Sequence, residues 1–200
     1  MEPLLVSTGV VALAEFGDKT QLLAFVLAAR FRRPWPIVAG ILVATLLNHG
    51  LAGALGSWIT GVLSPQVLRW AIGLSFLAMA AWILVPDRPD DAAPRAAARL
   101  GVFGTTLVAF FLAEMGDKTQ VATVALAAHY AAGGASPFAA GTAVVVGTTL
   151  GMMVANVPAV LFGDRLAARA PMRLLHAIAA AVLALLGGAT LLGWGERWGL

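Results

Sequence analysis

Cysteine is absent from this 200-residue chain, and charge is scarce, with 12% of residues being Asp, Glu, Lys or Arg. The first absence excludes a disulfide framework and any thiolate metal site. The second, beside 60% hydrophobic residues and a mean hydropathy of +0.88, excludes a soluble globular domain and indicates a polytopic membrane protein. The start, Met1-Glu2-Pro3, lacks a basic n-region, so the first apolar segment is expected to be retained and not cleaved as a signal peptide. No ATP-binding loop is present, so any transport would be secondary. The pI of 10.2 does not imply a nucleic-acid partner, because the arginines cluster in short loops between apolar runs.

What is there is a series of apolar runs long enough to cross a bilayer. Six spans are expected, at 4–30, 36–60, 66–85, 101–128, 138–162 and 172–194, with Pro65 and Pro171 at helix starts. Residues 86–100 are polar and proline-rich and form a linker between halves 1–85 and 101–200. Arg30, Arg32 and Arg33 follow the first span, Arg88, Arg95 and Arg99 the third, and Arg165, Arg169 and Arg173 the fifth. The opposite side offers only Arg69 and Arg197. By the positive-inside rule the arginine-bearing loops are cytoplasmic and both termini lie outside. Trp35, Trp58 and Trp198 are expected as interfacial anchors.

One pattern occurs twice. Ala12-Leu-Ala-Glu15-Phe-Gly17-Asp18-Lys19-Thr20-Gln21 is matched by Phe111-Leu-Ala-Glu114-Met-Gly116-Asp117-Lys118-Thr119-Gln120. Both copies lie inside apolar runs. Four carboxylates at a bilayer centre cost roughly 10–14 kcal/mol on insertion scales, comparable to the stability of a whole domain. They are retained only by facing one another, water or an ion. The segment Thr45–Gly56 aligns with Met152–Gly163, which sets His49 opposite Asn156, and Trp70-Ala-Ile lies beside His176-Ala-Ile. Three spans per half is an odd number, so the second half enters the membrane upside down. The expected fold is thus an all-α integral membrane protein of six helices in two inverted-topology three-helix repeats.

On a continuous helix, residues three apart share a face, which would align Glu15 with Asp18, Glu114 with Asp117, and Gln21 and Gln120 beyond them. Lys19 follows Glu15 by four, the favourable order for an ion pair. Gly17 and Gly116 allow close approach and loosen the helix locally. Folding the halves together gathers Glu15, Asp18, Glu114 and Asp117 with the amides of Gln21 and Gln120 and the hydroxyls of Thr20 and Thr119. These are hard oxygen ligands suited to calcium, manganese or magnesium. With Lys19 and Lys118 as charge-balancing groups the set carries minus two, which one divalent cation or two protons cancel. Metal and protons would then compete for the same four acids. His49 and Asn156 are candidates to line the pathway, although a lone polar residue in a membrane helix also serves simply to bond a neighbour. Met115 is either a soft ligand or packing.

At these residues the chain resembles the Gdt-one family of cation/proton exchangers, within the lysine-exporter superfamily. The doubled Glu-x-Gly-Asp-Lys-Thr motif carries the resemblance, which covers essentially the whole chain. It implies calcium/manganese–proton antiport, with Glu15, Asp18, Glu114 and Asp117 coordinating the cation. It implies no enzyme activity and no permanently bound cofactor, the metal being the transported ion. The expected partners are the lipid bilayer, divalent cations and protons. The short linker suggests a bacterial type and an inner-membrane location. Three alternatives stand beside this. An intramembrane aspartyl protease would not frame both aspartates identically or need the extra Glu and Lys. A passive cation channel would need a continuous polar path. A lysine-exporter-like small-solute exporter shares the fold, but four acids favour a bare cation over a zwitterion.

Overall fold

A computed structural model describes residues 1–85, 100–132, 136–162 and 172–193, and within them every regular element is an α-helix. In chain order these are α1 (Glu2–Glu15), α2 (Lys19–Phe31), α3 (Pro34–Val62), α4 (Pro65–Ile83), α5 (Gly101–Glu114), α6 (Lys118–Ala132), α7 (Pro137–Phe162) and α8 (Met172–Leu191). Helices are the expected solution for a chain of this composition, because backbone groups in a hydrocarbon layer must bond within their own segment. Side-chain hydroxyls follow the same rule: Thr8, Thr106, Thr123, Thr142 and Thr190 each donate to the carbonyl four residues earlier, at 2.7–2.8 Å. Prolines occupy the first turns of α1, α3 and α4, where a missing N–H costs nothing. The linker expected at 86–100 lies outside the described residues except for Leu100, as do Arg165, Arg169, Pro171, Gly163, Arg197 and Trp198.

Among the described residues, four helices are long and apolar enough to cross a membrane: Pro34–Val62, Pro65–Ile83, Phe138–Phe162 and Arg173–Leu191. The other two expected spans, 4–30 and 101–128, are not single helices. Each is a pair of shorter helices, α1 with α2 and α5 with α6, interrupted inside the repeated motif. The expectation of a continuous motif helix is therefore corrected, and the reason lies in the glycines described below.

Helix α3 is central, packing along α5, α6 and α7, while α1 lies along α7 and α4 along α8. One apolar cluster joins α1, α4, α6 and α8 through Val10, Phe76, Leu126 and Leu183. A second joins α2, α3, α5 and α7 through Leu27, Ile41, Phe110 and Ala159. Small residues set the helix separations. A Cβ at Gly40 would lie 2.9 Å from the Phe103 carbonyl oxygen and 2.7 Å from the Thr106 Cβ. At Gly147 it would lie 2.5 Å from the Leu4 oxygen and 3.0 Å from the Ser7 Cβ. Leu46, Leu51, Leu55, Leu150 and Val154 point outward and are exposed, which suits a lipid surround. Trp35 and Trp58 are exposed near the two ends of α3.

Candidate cation site

The motif is a helix–turn–helix break built twice with the same geometry. Phe16 (φ −62°, ψ 120°) and Gly17 (φ 81°) link Glu15, the last residue of α1, to Asp18, whose N–H donates to the Glu15 carbonyl at 3.1 Å. Met115 (φ −65°, ψ 117°) and Gly116 (φ 77°) do the same between Glu114 and Asp117, again at 3.1 Å. These are the angles of a type II turn, whose third position requires positive φ and therefore favours glycine. The Glu-x-Gly-Asp spacing is thus the sequence of a turn: Glu ends one helix, Gly reverses the chain, and Asp precedes the next helix.

The rest of the motif secures that break. Gln21 Oε1 accepts the Gly17 N–H at 2.9 Å, and Gln120 Oε1 accepts the Gly116 N–H at 2.6 Å. Gln21 Nε2 also donates to the Ala155 carbonyl on α7 at 3.0 Å. Thr20 donates to Glu15 Oε2 at 2.8 Å, and Thr119 to Glu114 Oε2 at 3.0 Å. Each threonine thereby orients the glutamate of its own copy and leaves the second oxygen available.

The lysines cross between the copies. Lys118 Nζ lies 2.6 Å from Asp18 Oδ1, and Lys19 Nζ lies 3.0 Å from Asp117 Oδ1. The expected pairing of Lys19 with Glu15 is therefore replaced, because the turn takes Lys19 off the face that Glu15 occupies. Asp18 makes no side-chain cap bond to α2 and turns instead toward the other copy.

One ligand atom each from Glu15, Glu114 and Asp117 lies within 4.8 Å of the others, and all three residues are buried. Among the described residues, Glu15 Oε1, Glu114 Oε1 and Asp117 Oδ2 are buried without a hydrogen-bond partner. Buried carboxylate oxygens left unpaired are costly. A cation among them, or protons on them, removes that cost. Hard oxygen donors of this kind suit Mn²⁺, Ca²⁺ or Mg²⁺. Asp18 borders the cluster, held by Lys118.

His49 is fully buried and neither ring nitrogen has a partner among the described residues, yet it is not part of the carboxylate cluster. Asn156 donates to the Met152 carbonyl of its own helix at 3.1 Å. Two neighbours of the break escaped sequence reasoning. Asn48 Nδ2 donates to the Phe111 carbonyl at 3.1 Å, tying α3 to the last turn of α5. His176 Nε2 donates to the Phe16 carbonyl in the turn itself, at 2.7 Å. Asn48, beside His49, and His176 are polar residues inside apolar helices, and that is the signal the sequence offers. Met115 is 54% exposed on its turn.

An all-helical, strongly apolar chain that gathers buried carboxylates at breaks in its helices has the architecture of a membrane transporter. Comparison with known proteins specifies the kind. The family model described as "Divalent cation/proton antiporter GDT1" matches residues 3–91 and 102–197. A Vibrio cholerae protein named "Putative manganese exporter" is 47% identical over 190 residues, covering 95% of this chain and 90% of that protein. A GDT1-like protein of Synechocystis is 29% identical over 182 residues, covering 80% and 82%. GDT1-like protein 3 of Oryza sativa subsp. indica is 29% identical over 220 residues, covering 96% and 72%. No solved structure matches the chain. The chain belongs to the GDT1 family of divalent cation/proton antiporters.

Proposed function

We propose that this protein exports Mn²⁺ from the cytoplasm in exchange for protons, through one site shared by the two motif copies. The observation that carries the reading is the approach of Glu15, Glu114 and Asp117 to within 4.8 Å, with oxygens that have no other partner. The manganese assignment draws on the relative from Vibrio cholerae. Glu15, Glu114 and Asp117 hold the cation directly, and Asp18 joins them when Lys118 releases it. Thr20 and Thr119 fix the glutamates, while Gln21 and Gln120 hold the turns. Lys19 and Lys118 balance charge. The last carbonyls of α1 and α5 also point toward the breaks, as in other transporters built on interrupted helices.

Proton coupling follows from charge. Four acids and two lysines leave minus two, which is too costly to carry across the membrane uncompensated. Two protons allow the metal-free carrier to reorient. Mn²⁺ arriving from the cytoplasm displaces them, and protons from outside displace Mn²⁺. The sign is therefore fixed: an outside-acid gradient drives efflux.

We also propose that α1–α2, α3, α4, α5–α6, α7 and α8 make six spans in two inverted repeats, residues 1–85 and 101–200. The matching placement of glycines supports this. Gly40 packs on Phe103 and Thr106, and Gly147 on Leu4 and Ser7. The difference between 4 and 103, and between 7 and 106, is 99 residues, the same shift that superimposes Glu15 on Glu114. The loop arginines support termini outside, and the short linker supports a bacterial inner membrane.

The test is Mn²⁺ efflux from oriented vesicles. Outside acid should accelerate efflux, Mn²⁺ addition should release protons, and Glu15→Gln and Glu114→Gln should each abolish both. Undiminished flux after collapse of the pH gradient, with no membrane potential to account for it, overturns the antiport of Mn²⁺. Normal transport by either glutamine variant overturns the shared site.

A further inference from the structure

The two lysine–aspartate pairs are equivalent in sequence but not in surroundings. In the Lys118–Asp18 pair the side chains are 2% and 0% exposed. In the Lys19–Asp117 pair they are 22% and 4% exposed. The Lys19 side chain is thus the more open of the two, and since an ammonium facing lipid is too costly, its opening suits a path to water. Gln21 reaches across to the Ala155 carbonyl on α7, whereas Gln120 makes no corresponding bond to α3 among the described residues. His176 of α8 holds the Phe16 carbonyl, while Met115 at the matching place is exposed.

Helix packing shows the same bias. Helix α4 packs against α6, and α8 against α1. If the halves are related as proposed above, the equivalent pairings are α8 with α2 and α4 with α5. Neither is made to a comparable extent among the described residues. The α4–α8 pair therefore covers only one half of each interrupted span. The uncovered halves, α2 and α5, are those joined to the arginine-bearing loops at Arg30–Arg33 and before Gly101.

We infer that the two crossed ion pairs are alternating gates. This structure is the cytoplasm-open state, with Lys118–Asp18 as the closed outer gate and Lys19–Asp117 as the wetted inner one. The inference rests on the inverted-repeat exchange proposed above. In the opposite state the α4–α8 pair covers α2 and α5, Lys19–Asp117 is sealed, and Lys118–Asp18 is exposed to the outside. The cation then leaves on that side. Each lysine acts as a positioning residue: it draws one aspartate away from the shared site on the closed side and so fixes which side the cation meets. Two states of nearly equal energy are the natural product of two nearly equal halves.

Single cysteines at Phe16 and Met115 report the exchange, since the parent chain contains none. In vesicles whose proton-driven Mn²⁺ efflux is measured in parallel, Met115→Cys should react with an impermeant thiol reagent from the cytoplasmic side, and Phe16→Cys should be protected. Adding Lys118→Ala should reverse this pattern, exposing position 16 from outside and protecting position 115. Lys118→Arg should restore the parent pattern, which separates loss of the gate from loss of the fold. Both reporters reacting alike from one side, with and without Lys118→Ala, in vesicles that still exchange Mn²⁺ for protons, overturns the gating inference while leaving the antiport reading intact.

Discussion

Replacing Gly116 with alanine isolates the contribution of the turn. Gly116 has φ 77°, and an added Cβ meets nothing within 4 Å, so the substitution acts through the backbone and not through a clash. An L-residue in the left-handed region costs roughly 1–2 kcal/mol. The stiffer unfolded chain returns about 0.4–1 kcal/mol. The net destabilisation is about 1 kcal/mol, or roughly 2–4 °C in Tm for a chain of this size. The functional loss should be larger than the stability loss. Alanine favours running α5 straight into α6, which redirects α6 and with it the crossed contacts of Asp117 with Lys19 and of Lys118 with Asp18. One or two kcal/mol against the turn lowers the ratio of turned to straight forms on the order of 5–30-fold, and Mn²⁺ efflux should fall as the straight form becomes populated. Asparagine tolerates the left-handed conformation better than alanine, so the expected order of activity is glycine, asparagine, alanine. Gly61, inside α3 with open space at its Cβ, is the control: Gly61→Ala should stabilise by about 0.5–1 kcal/mol. Thermal unfolding in detergent and initial efflux rates give both readouts. If Gly116→Ala raises Tm as Gly61→Ala does and transports at the parent rate, the turn does not build the site.

Thr119→Val removes the hydrogen bond to Glu114, and a bond to a charged group is worth roughly 1.5–3 kcal/mol; the KM for Mn²⁺ should rise on the order of 10–100-fold, and an unchanged KM would show that the threonine does not orient the acid. Gly151→Val should separate α1 from α7, since a Cβ there lies 2.7 Å from the Thr8 oxygen and 2.8 Å from the Ala12 nitrogen; a cost of about 1–3 kcal/mol is expected, seen as a lower Tm, whereas Gly50→Ala, with open space inside α3, should not lower it. Cysteines at Arg95 and Leu200 test orientation: impermeant reagent applied to intact cells should label position 200 and spare position 95, and the reverse result overturns the positive-inside assignment.

Hydropathy was sufficient to locate α3, α4, α7 and α8, because an apolar segment of membrane length has few alternatives to a helix. It could not reveal the breaks, since α1 and α2 together carry the same apolar composition as an intact span. The glycine in Glu-x-Gly-Asp was the clue, and it was read as loosening and not as a turn. Periodicity then misled, because counting three residues along a helix assumes that the helix continues. The acids, threonines and glutamines were legible as a group because charge inside an apolar run has no cheap structural explanation. Their individual contacts were not legible. Which lysine meets which aspartate depends on how two segments about 100 residues apart cross, and local sequence does not encode that crossing. Asn48 and His176 were hidden for the same reason, each acting on a backbone carbonyl that any residue could supply.

The crossing of the ion pairs also bears on how the protein is made. Asp18 and its partner Lys118 are separated by 100 positions. At roughly 5–20 residues per second, the first motif waits about 5–20 s for the second to be synthesised. During that interval the nascent first half holds Glu15, Asp18 and Lys19 with a net charge of minus one and without its ammonium from the second copy. Its first interrupted helix pair is therefore unfavourable in lipid alone, and is best kept at the insertion machinery until α5 and α6 arrive. Biogenesis of this transporter should depend on the second half to complete insertion of the first, and a chain truncated before Lys118 should be a ready substrate for membrane quality control.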